Sequence, residues 1–437
     1  MMERSKSIVL AVLVLLSLVQ SFLLAYSMPN FDVVKRVGST YIKADPLGPE
    51  EKVDNLIYPE HMILHLGNNK HTIMDPGTIF FNIIMKRLQG RSYDGFQLKS
   101  GADLDWAAIQ EKKQGLELRF NSPVPAKLLQ KVLPISEDAA FQTESINKVW
   151  LYASEELNEV RVFFFTAEDN RIYESTRADL SVQDVKQLVE FGSSWTPYRL
   201  VNGTFYVPQE PIEMVEVKLP YTVFSPEQMQ RSLFFDPTLT KIIQENDGSK
   251  IYTDGKRGLQ VQRNQLWITY SDATAPTEER TDMTSDVMTS VNFINQRGGW
   301  SGRFRLSVME NMAQGSPGIP TLSGTHNRLV FQQYWGSYPI ISTKDTRFGY
   351  VQVTLQQGMV MNYERSLIQL GAHADEKQVK KLIAGDPLLA RLKTLPKYAQ
   401  VAEVNPVYEP FMSEEQIRLH PVWQVKYTDG TTELLEP

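Results

Sequence analysis

The chain has 437 residues with 51 acidic against 45 basic side chains, so it offers no strongly positive surface of the kind nucleic acid demands. Its 42% hydrophobic and 10% aromatic content is that of a folded protein, long enough for two or three domains. With no cysteine it forms no disulfide, thiolate nucleophile, iron–sulfur cluster or cysteine-ligated zinc site, a usage that fits a secreted protein of Gram-positive type.

Glu3, Arg4 and Lys6 lie in a short leader, residues 1–7, ahead of an uncharged stretch from Ser7 to Phe31. Its apolar heart, Ile8 to Tyr26, is 19 residues long. At about 1.5 Å rise per residue, that nearly matches a ~30 Å hydrocarbon core. Segment 8–27 is therefore expected to cross a membrane as a helix, because a helix satisfies all its own backbone groups there. The preceding basic pair places the amino terminus in the cytoplasm and the bulk of the chain outside. Ala25-Tyr26-Ser27 also suits a signal peptidase, but the run is longer than a signal-peptide core, which favours an uncleaved anchor. Ser17, Gln20, Ser21 and Leu24 share one helical face, a candidate contact with another membrane helix. The competing reading puts Gln20 near the outer interface, within reach of water.

Beyond the span, the expected fold is α+β, in three extracytoplasmic domains with antiparallel sheets at 30–205, 210–315 and 322–437. In the first, helices are expected at Pro76 to Leu88 with Asp75 as cap, at Val124 to Leu133, and at Val182 to Phe191 after Ser181. Strand-like runs lie at Met62 to Leu66, Leu116 to Phe120, Val149 to Tyr152 and Val160 to Phe165. Turn residues and two prolines near Asn202 to Pro211 mark a boundary. Then come a strand at Ile212 to Lys218, a helix at Pro226 to Phe234, and a meander through Ile251 to Asp254, Leu259 to Gln262 and Leu266 to Tyr270. A helix at Ser285 to Gln296 and a strand at Arg303 to Val308 close the second domain, and Gln314 to Gly324 reads as a linker. The last domain is expected to hold strands at Arg328 to Tyr334, Tyr350 to Leu355 and Met359 to Tyr363. Helices follow at Asp375 to Ile383 and Pro387 to Leu395, and a closing hairpin at Val422 to Tyr427 and Glu433 to Leu435. Tyr-Thr-Asp-Gly occurs at 252–255 and again at 427–430, a weak sign that the last two domains are related.

The residues offer little chemistry. His61, His65 and His71 follow Glu60, but a zincin needs His-Glu-x-x-His on a helix, and this stretch reads as strand. The three are therefore expected as surface or edge histidines, with no metal site. Ser145-x-x-Lys148 lacks the companion motifs of the penicillin-recognising enzymes. Glu155-Glu156 and Glu278-Glu279 sit in polar turns. Trp267, Trp300, Trp335, Tyr338, Trp423 and Tyr427 suit a glycan groove or, more commonly, a sheet core. No catalytic, cofactor or metal residue is assigned.

The layout resembles the YycH (WalH) family. The similarity rests on the leader and span, the Gly115-Leu116-Glu117-Leu118-Arg119-Phe120 strand running through Pro123 and Pro125, the Val160 to Phe165 strand, and the closing His420-Pro421-Val422-Trp423-Gln424-Val425 and Tyr427-Thr428-Asp429-Gly430 hairpin. The resemblance implies a membrane helix and three exported domains, the last two akin to each other and to the companion protein YycI. It implies a non-enzymatic regulator that associates with YycI and the sensor kinase WalK (YycG) and controls genes of cell-wall metabolism. The alternative is an anchored cell-wall-binding protein or a glycan-active enzyme, which would show a cleft with convergent carboxylates or a groove near Trp335 or Trp423.

Overall fold

The computed structural model describes Ser17 and residues 46–167, 171–273, 282–312, 326–343 and 346–436. The chain divides into two compact units, Met1–Ile42 and Lys43–Pro437. In the first, Ser17 is helical and exposed, while Gln20, Ser21, Leu24 and the rest of the expected span lie outside the described residues. Among the described residues no helix is long and apolar enough to cross a membrane.

The second unit is α+β and built on antiparallel sheets. Its first sheet uses β1 (His61–Gly67), β2 (Lys70–Met74), β3 (Tyr93–Lys99), β4 (Gln114–Pro125), β5 (Ser145–Ser154), β6 (Glu159–Thr166), β7 (Ile172–Ala178), β8 (Pro197–Val201) and β9 (Phe205–Pro208), in the order β3-β7-β6-β5-β4-β1-β2-β8-β9. Alternation along these strands sorts the side chains between two faces. Leu64, Leu116, Leu118, Val149, Leu151, Val162 and Phe164 share one core cluster with Phe81, Ile84 and Leu88 of helix α1 (Ile79–Gln89) and Val185 and Leu188 of helix α3 (Val182–Glu190). Helix α2 (Trp106–Lys112) belongs with a second cluster of Trp150, Tyr152 and Phe163, which occupy alternate positions of β5 and β6. Each large apolar side chain buried this way contributes roughly 1.5–3 kcal/mol.

Gly115 sits where β4 meets β5, and a β-carbon there would lie 2.4 Å from the Leu151 carbonyl oxygen and 2.7 Å from Tyr152 Cβ. Both obstacles belong to the neighbouring strand, so the ladder itself would have to open. We expect Gly115→Ala to destabilise the chain by about 1–3 kcal/mol, measured as a fall in the urea midpoint at constant slope; an unchanged midpoint would show that the strands give way freely.

The remaining strands interleave. β10 (Ile212–Val223) starts a second sheet, and the chain then leaves to build a third from β11 (Lys241–Gln244), β12 (Lys250–Thr253), β13 (Arg257–Val261), β14 (Trp267–Asp272), β15 (Arg303–Met312), β16 (His326–Trp335), β17 (Tyr338–Pro339), β18 (Tyr350–Gln356) and β19 (Met359–Ser366). That sheet runs β11-β12-β13-β14-β19-β18-β16-β15, with β17 beside β16. Helices α4 (Pro226–Leu233) and α5 (Met283–Gln296) bury Met229, Leu233, Val287, Val291 and Ile294 in the cluster that also holds Tyr270, Leu329, Phe331 and Tyr363. The chain returns as β20 (Ile368–Leu370), β21 (Glu376–Leu382), β22 (Val401–Met412), β23 (Gln416–Tyr427) and β24 (Thr432–Leu435). β20, β21 and β23 all pair with β10, and helix α6 (Gly385–Leu392) packs Leu388 and Leu392 into this sheet's core.

Three local expectations change. Helix α1 begins three residues later than expected because Asp75 turns its carboxylate to His61, 3.3 Å away, instead of capping the helix. The segment Val124 to Leu133 holds only one helical turn, Ala126–Leu129, since Val124 stays in the ladder opposite Ile146 and precedes Pro125. A residue before proline is pushed to extended backbone. Asp375 to Ile383, rich in helix formers, is instead strand β21, paired in register with β10 from Ile212↔Leu382 to Lys218↔Glu376. Cross-strand pairs Lys218–Glu376, Lys380–Glu216 and Lys381–Glu213 settle the contest with intrinsic propensity. The sheets also do not divide at the expected 315–322 boundary: Met312↔His326 is a pair within one sheet. Both Tyr-Thr-Asp-Gly strings do form hairpin turns, with Gly255 at φ 92 and Gly430 at φ 79.

Candidate functional site

The three sheets meet around two bulges. In β4 the register with β5 shifts between Arg119 and Val124, and in β15 the register with β16 shifts between Leu306 and Val308. A bulge turns side chains out of their ladder, and these two turn toward each other. Asn121 Nδ2 donates to Ser307 Oγ at 2.5 Å, and Ser122 Oγ both donates to the Met309 carbonyl (3.1 Å) and accepts from the Met309 N–H (3.0 Å). From the second sheet, Lys426 Nζ donates to Asn121 Oδ1 at 2.6 Å and lies 3.6 Å from Glu403. One short segment of β4 thus holds all three sheets. Around it opens a groove of about 600 Å³, lined among others by Glu60, Arg328, Gln352, Tyr334, Tyr350 and Gln424.

The charges at this junction are strongly perturbed. Burial raises the pKa of Glu60 above the usual carboxylate range. Burial opposes charge on His61 as well, but the Asp75 carboxylate and Glu60 outweigh it and raise the imidazole's pKa. Glu403 is half-buried, and Lys426 and His61 bring its pKa down against the cost of desolvation. Charges that shift one another in this way respond to any movement of the sheets, because each pKa depends on a neighbour from another segment.

Deeper in the first sheet lies a second polar cluster. His65 and His71 are not surface residues: both are 1% exposed and stand opposite each other across the β1–β2 hairpin. The turn is set by Asn68 and Asn69, at φ 52 and 56, the left-handed conformations that tight hairpin turns require. His65 Nε2 donates to Glu117 (2.9 Å), the two Nδ1 atoms are 2.9 Å apart, and His71 Nε2 donates to Asn69 Oδ1 at 3.1 Å. One proton between the two Nδ1 atoms links the rings. Burial, and then the neighbouring His65, lower the His71 pKa to about 4. Fully buried Glu117 also accepts from Arg119 Nε at 2.9 Å and lies 3.9 Å from Lys148 Nζ. Burial works against its charge, but Arg119, Lys148 and His65 hold its pKa well below the usual range. Lys148 in turn lies 4.0 Å from the Phe165 ring centroid and 4.8 Å from that of Trp150.

His61 stays apart from this pair and bonds Asp75. Among the described residues no group of three or more His, Asp or Glu side chains is placed to hold a metal ion. Ser145 is hydrogen-bonded into the β4–β5 ladder, and Lys148 serves Glu117, so the two do not act together. Glu155 and Glu156 lie in an exposed turn and pair with Lys186 and Lys113, while Glu278 and Glu279 lie outside the described residues. Trp267, Trp300, Trp423 and Tyr427 are buried core, the Trp423 indole donating to the Ile383 carbonyl, and Trp335 and Tyr338 are half-buried. In the sequence Glu117 and Arg119 stand out only as part of a strand, and no motif marks them or Asn121 as a site. The one available signal was charge at every second position of an otherwise apolar strand.

Comparison with known proteins decides the family. Residues 3–191 match the family model "YycH protein, N-terminal domain", and residues 202–434 match "YycH protein, C-terminal domain". The chain belongs to the YycH family. The crystal structure of YycH from Bacillus subtilis superposes with a TM-score of 0.70 at 17% identity, covering 89% of this chain and 98% of that one. That likeness shows a shared fold. An uncharacterized protein from Eubacterium rectale (TM-score 0.35, 10% identity, 55% of this chain and 88% of that one) and the Bacillus megaterium YpeB C-terminal domain (0.25, 11%, 45% and 89%) are more distant. No curated protein sequence matches.

Proposed function

We propose that this chain is a membrane-anchored regulator that holds its sheets outside the cell and sets the output of a WalK-like (YycG-like) sensor histidine kinase, together with a YycI-like companion, in control of cell-wall metabolism. The observation that carries the reading is the match to both YycH family models, which together take in nearly the whole chain. The first matched range begins at residue 3 and so includes the apolar segment 8–27. In this reading the segment is a single-pass anchor with a cytoplasmic amino terminus, and the face of Ser17, Gln20, Ser21 and Leu24 docks against the kinase or companion helix. The physical content is differential contact: a regulator changes the balance of two kinase states only by binding one of them better. The junction of three sheets supports this, since its interlocked charges couple movements of one sheet to the others.

Crosslinking in native membranes followed by mass spectrometry tests the partners directly, and the kinase and a YycI-like protein are the expected products. Replacing Ser17, Gln20 and Ser21 together by leucine is expected to weaken co-purification with both, each lost polar contact being worth about 0.6 kcal/mol on average. Unchanged co-purification sinks the docking face, and a mature protein beginning at Met28 sinks the anchor.

A further inference from the structure

The open edges of the three sheets differ in chemistry. β21 carries Lys377, Lys380 and Lys381, charges that discourage another strand from adding. β15 is tied to β4 through Ser307 and Met309, and β9 is buried throughout. β11 is different: it ends the third sheet, and all four of its residues are exposed. Ile242 is 62% and Ile243 51% exposed, and the approach to the strand leaves Phe235 at 66% and Leu239 at 70%.

Backbone alternation shows which groups this edge offers. The Glu245 N–H donates to the Ser249 carbonyl at 2.9 Å, so in the antiparallel ladder Glu245, Ile243 and Lys241 direct their backbone groups to β12. The N–H and C=O of Ile242 and Gln244 therefore point away from the sheet.

We propose that β11 binds a second copy of this chain, added antiparallel about a two-fold axis through Ile243. In that register Ile242 of one copy faces Gln244 of the other, and all four outward backbone groups on each strand find partners. Ile243 meets its own counterpart. Lys241 meets Glu245 at both ends of the contact, so the strand is complementary to itself in charge. Glu245 is already held in place, its Oε2 accepting from Ser249 Oγ (2.5 Å) and Gln260 Nε2 (2.8 Å). A four-residue strand pair is small, so the dimer is weak and loosens with salt.

The sequence contains no cysteine, so a single introduced thiol reports on this contact alone. Residues facing each other at a non-hydrogen-bonded antiparallel position have Cα atoms about 4.5 Å apart, within disulfide reach. In the full chain, with copper phenanthroline as oxidant, Ile243→Cys is expected to give a disulfide-linked dimer about tenfold faster than Lys256→Cys on an exposed turn of the same sheet. Adding Lys241→Glu should slow the Ile243→Cys crosslink about tenfold by facing like charges, and adding Glu245→Lys to that variant should restore it. Equal rates for the two thiols, or a rate indifferent to Lys241→Glu, overturns the proposal. So does a crosslink from Ile243→Cys to a different protein in membranes with none between purified copies.

Discussion

Glu117→Gln is expected to destabilise the chain by about 3–5 kcal/mol, the size seen when one member of a buried ion pair is neutralised and its partners are left behind. The substitution keeps shape and most hydrogen-bonding capacity, so the loss is one of charge. Arg119 and Lys148 would then face each other with no counter-ion, in a site where Glu117 is fully buried. Urea unfolding at pH 7 measures the effect as a shift in midpoint at constant slope. A second substitution sharpens the claim. Lys148→Met removes one of the stranded cations and leaves an apolar chain against Trp150 and Phe165, so the double variant should recover more than about 1 kcal/mol relative to Glu117→Gln alone. A shift below about 1 kcal/mol for Glu117→Gln would mean that water enters and screens the site.

The second large effect concerns pH. Burial, and then the neighbouring His65, lower the His71 pKa to about 4, below the ordinary imidazole value of 6.5. The folded chain therefore keeps His71 neutral while the unfolded chain takes up a proton below pH 6.5. Stability is lost as pH falls from about 6.5 to about 4. At about 1.4 kcal/mol per unit for one proton, the loss over that window is about 3 kcal/mol. Glu117, its pKa depressed as well, extends the loss below the ordinary carboxylate range. His61 works in the opposite sense, its raised pKa giving stability that fades as pH rises. Comparison of urea midpoints for the native chain and His71→Gln at pH 7, 5.5 and 4 isolates the one proton, since the other groups stay in both. The variant should lose less stability across that window, and identical pH profiles would show that His71 is not held neutral.

Local periodicity revealed much of the fold. The β-branched and aromatic run Val160 to Phe165 and the helical segment Pro226 to Phe234 form the strand and helix expected of them, because nothing distant contradicts them. β21 shows the limit. Glu376 to Leu382 contains good helix formers, and only the presence of β10, more than 150 residues away in sequence, makes it a strand. The buried histidines were hidden for a related reason. A hairpin through Asn68 and Asn69 folds His65 onto His71, and the Glu117 that makes burial tolerable comes from another strand. The three-sheet junction was hidden more completely, since Asn121, Ser307 and Lys426 are unremarkable residues whose significance lies in two bulges meeting.

The interleaving of the second and third sheets has a consequence for the order in which the chain folds. Among the described residues β10 pairs with β20, β21 and β23, so Val223 waits for residues 224–367 before it can pair with Ile368. The third sheet closes entirely within that interval, ending at Ser366. As the chain emerges from its amino terminus, the inner sheet forms while β10 is still an unsatisfied edge, exposed to the wrong partners. The last strands to appear are also those that bring Lys426 to Asn121, so the lock on the junction closes at the end of synthesis. A truncation just short of β23 would leave a well-formed inner sheet attached to a strand with half its ladder missing, and such a product is expected to aggregate rather than persist.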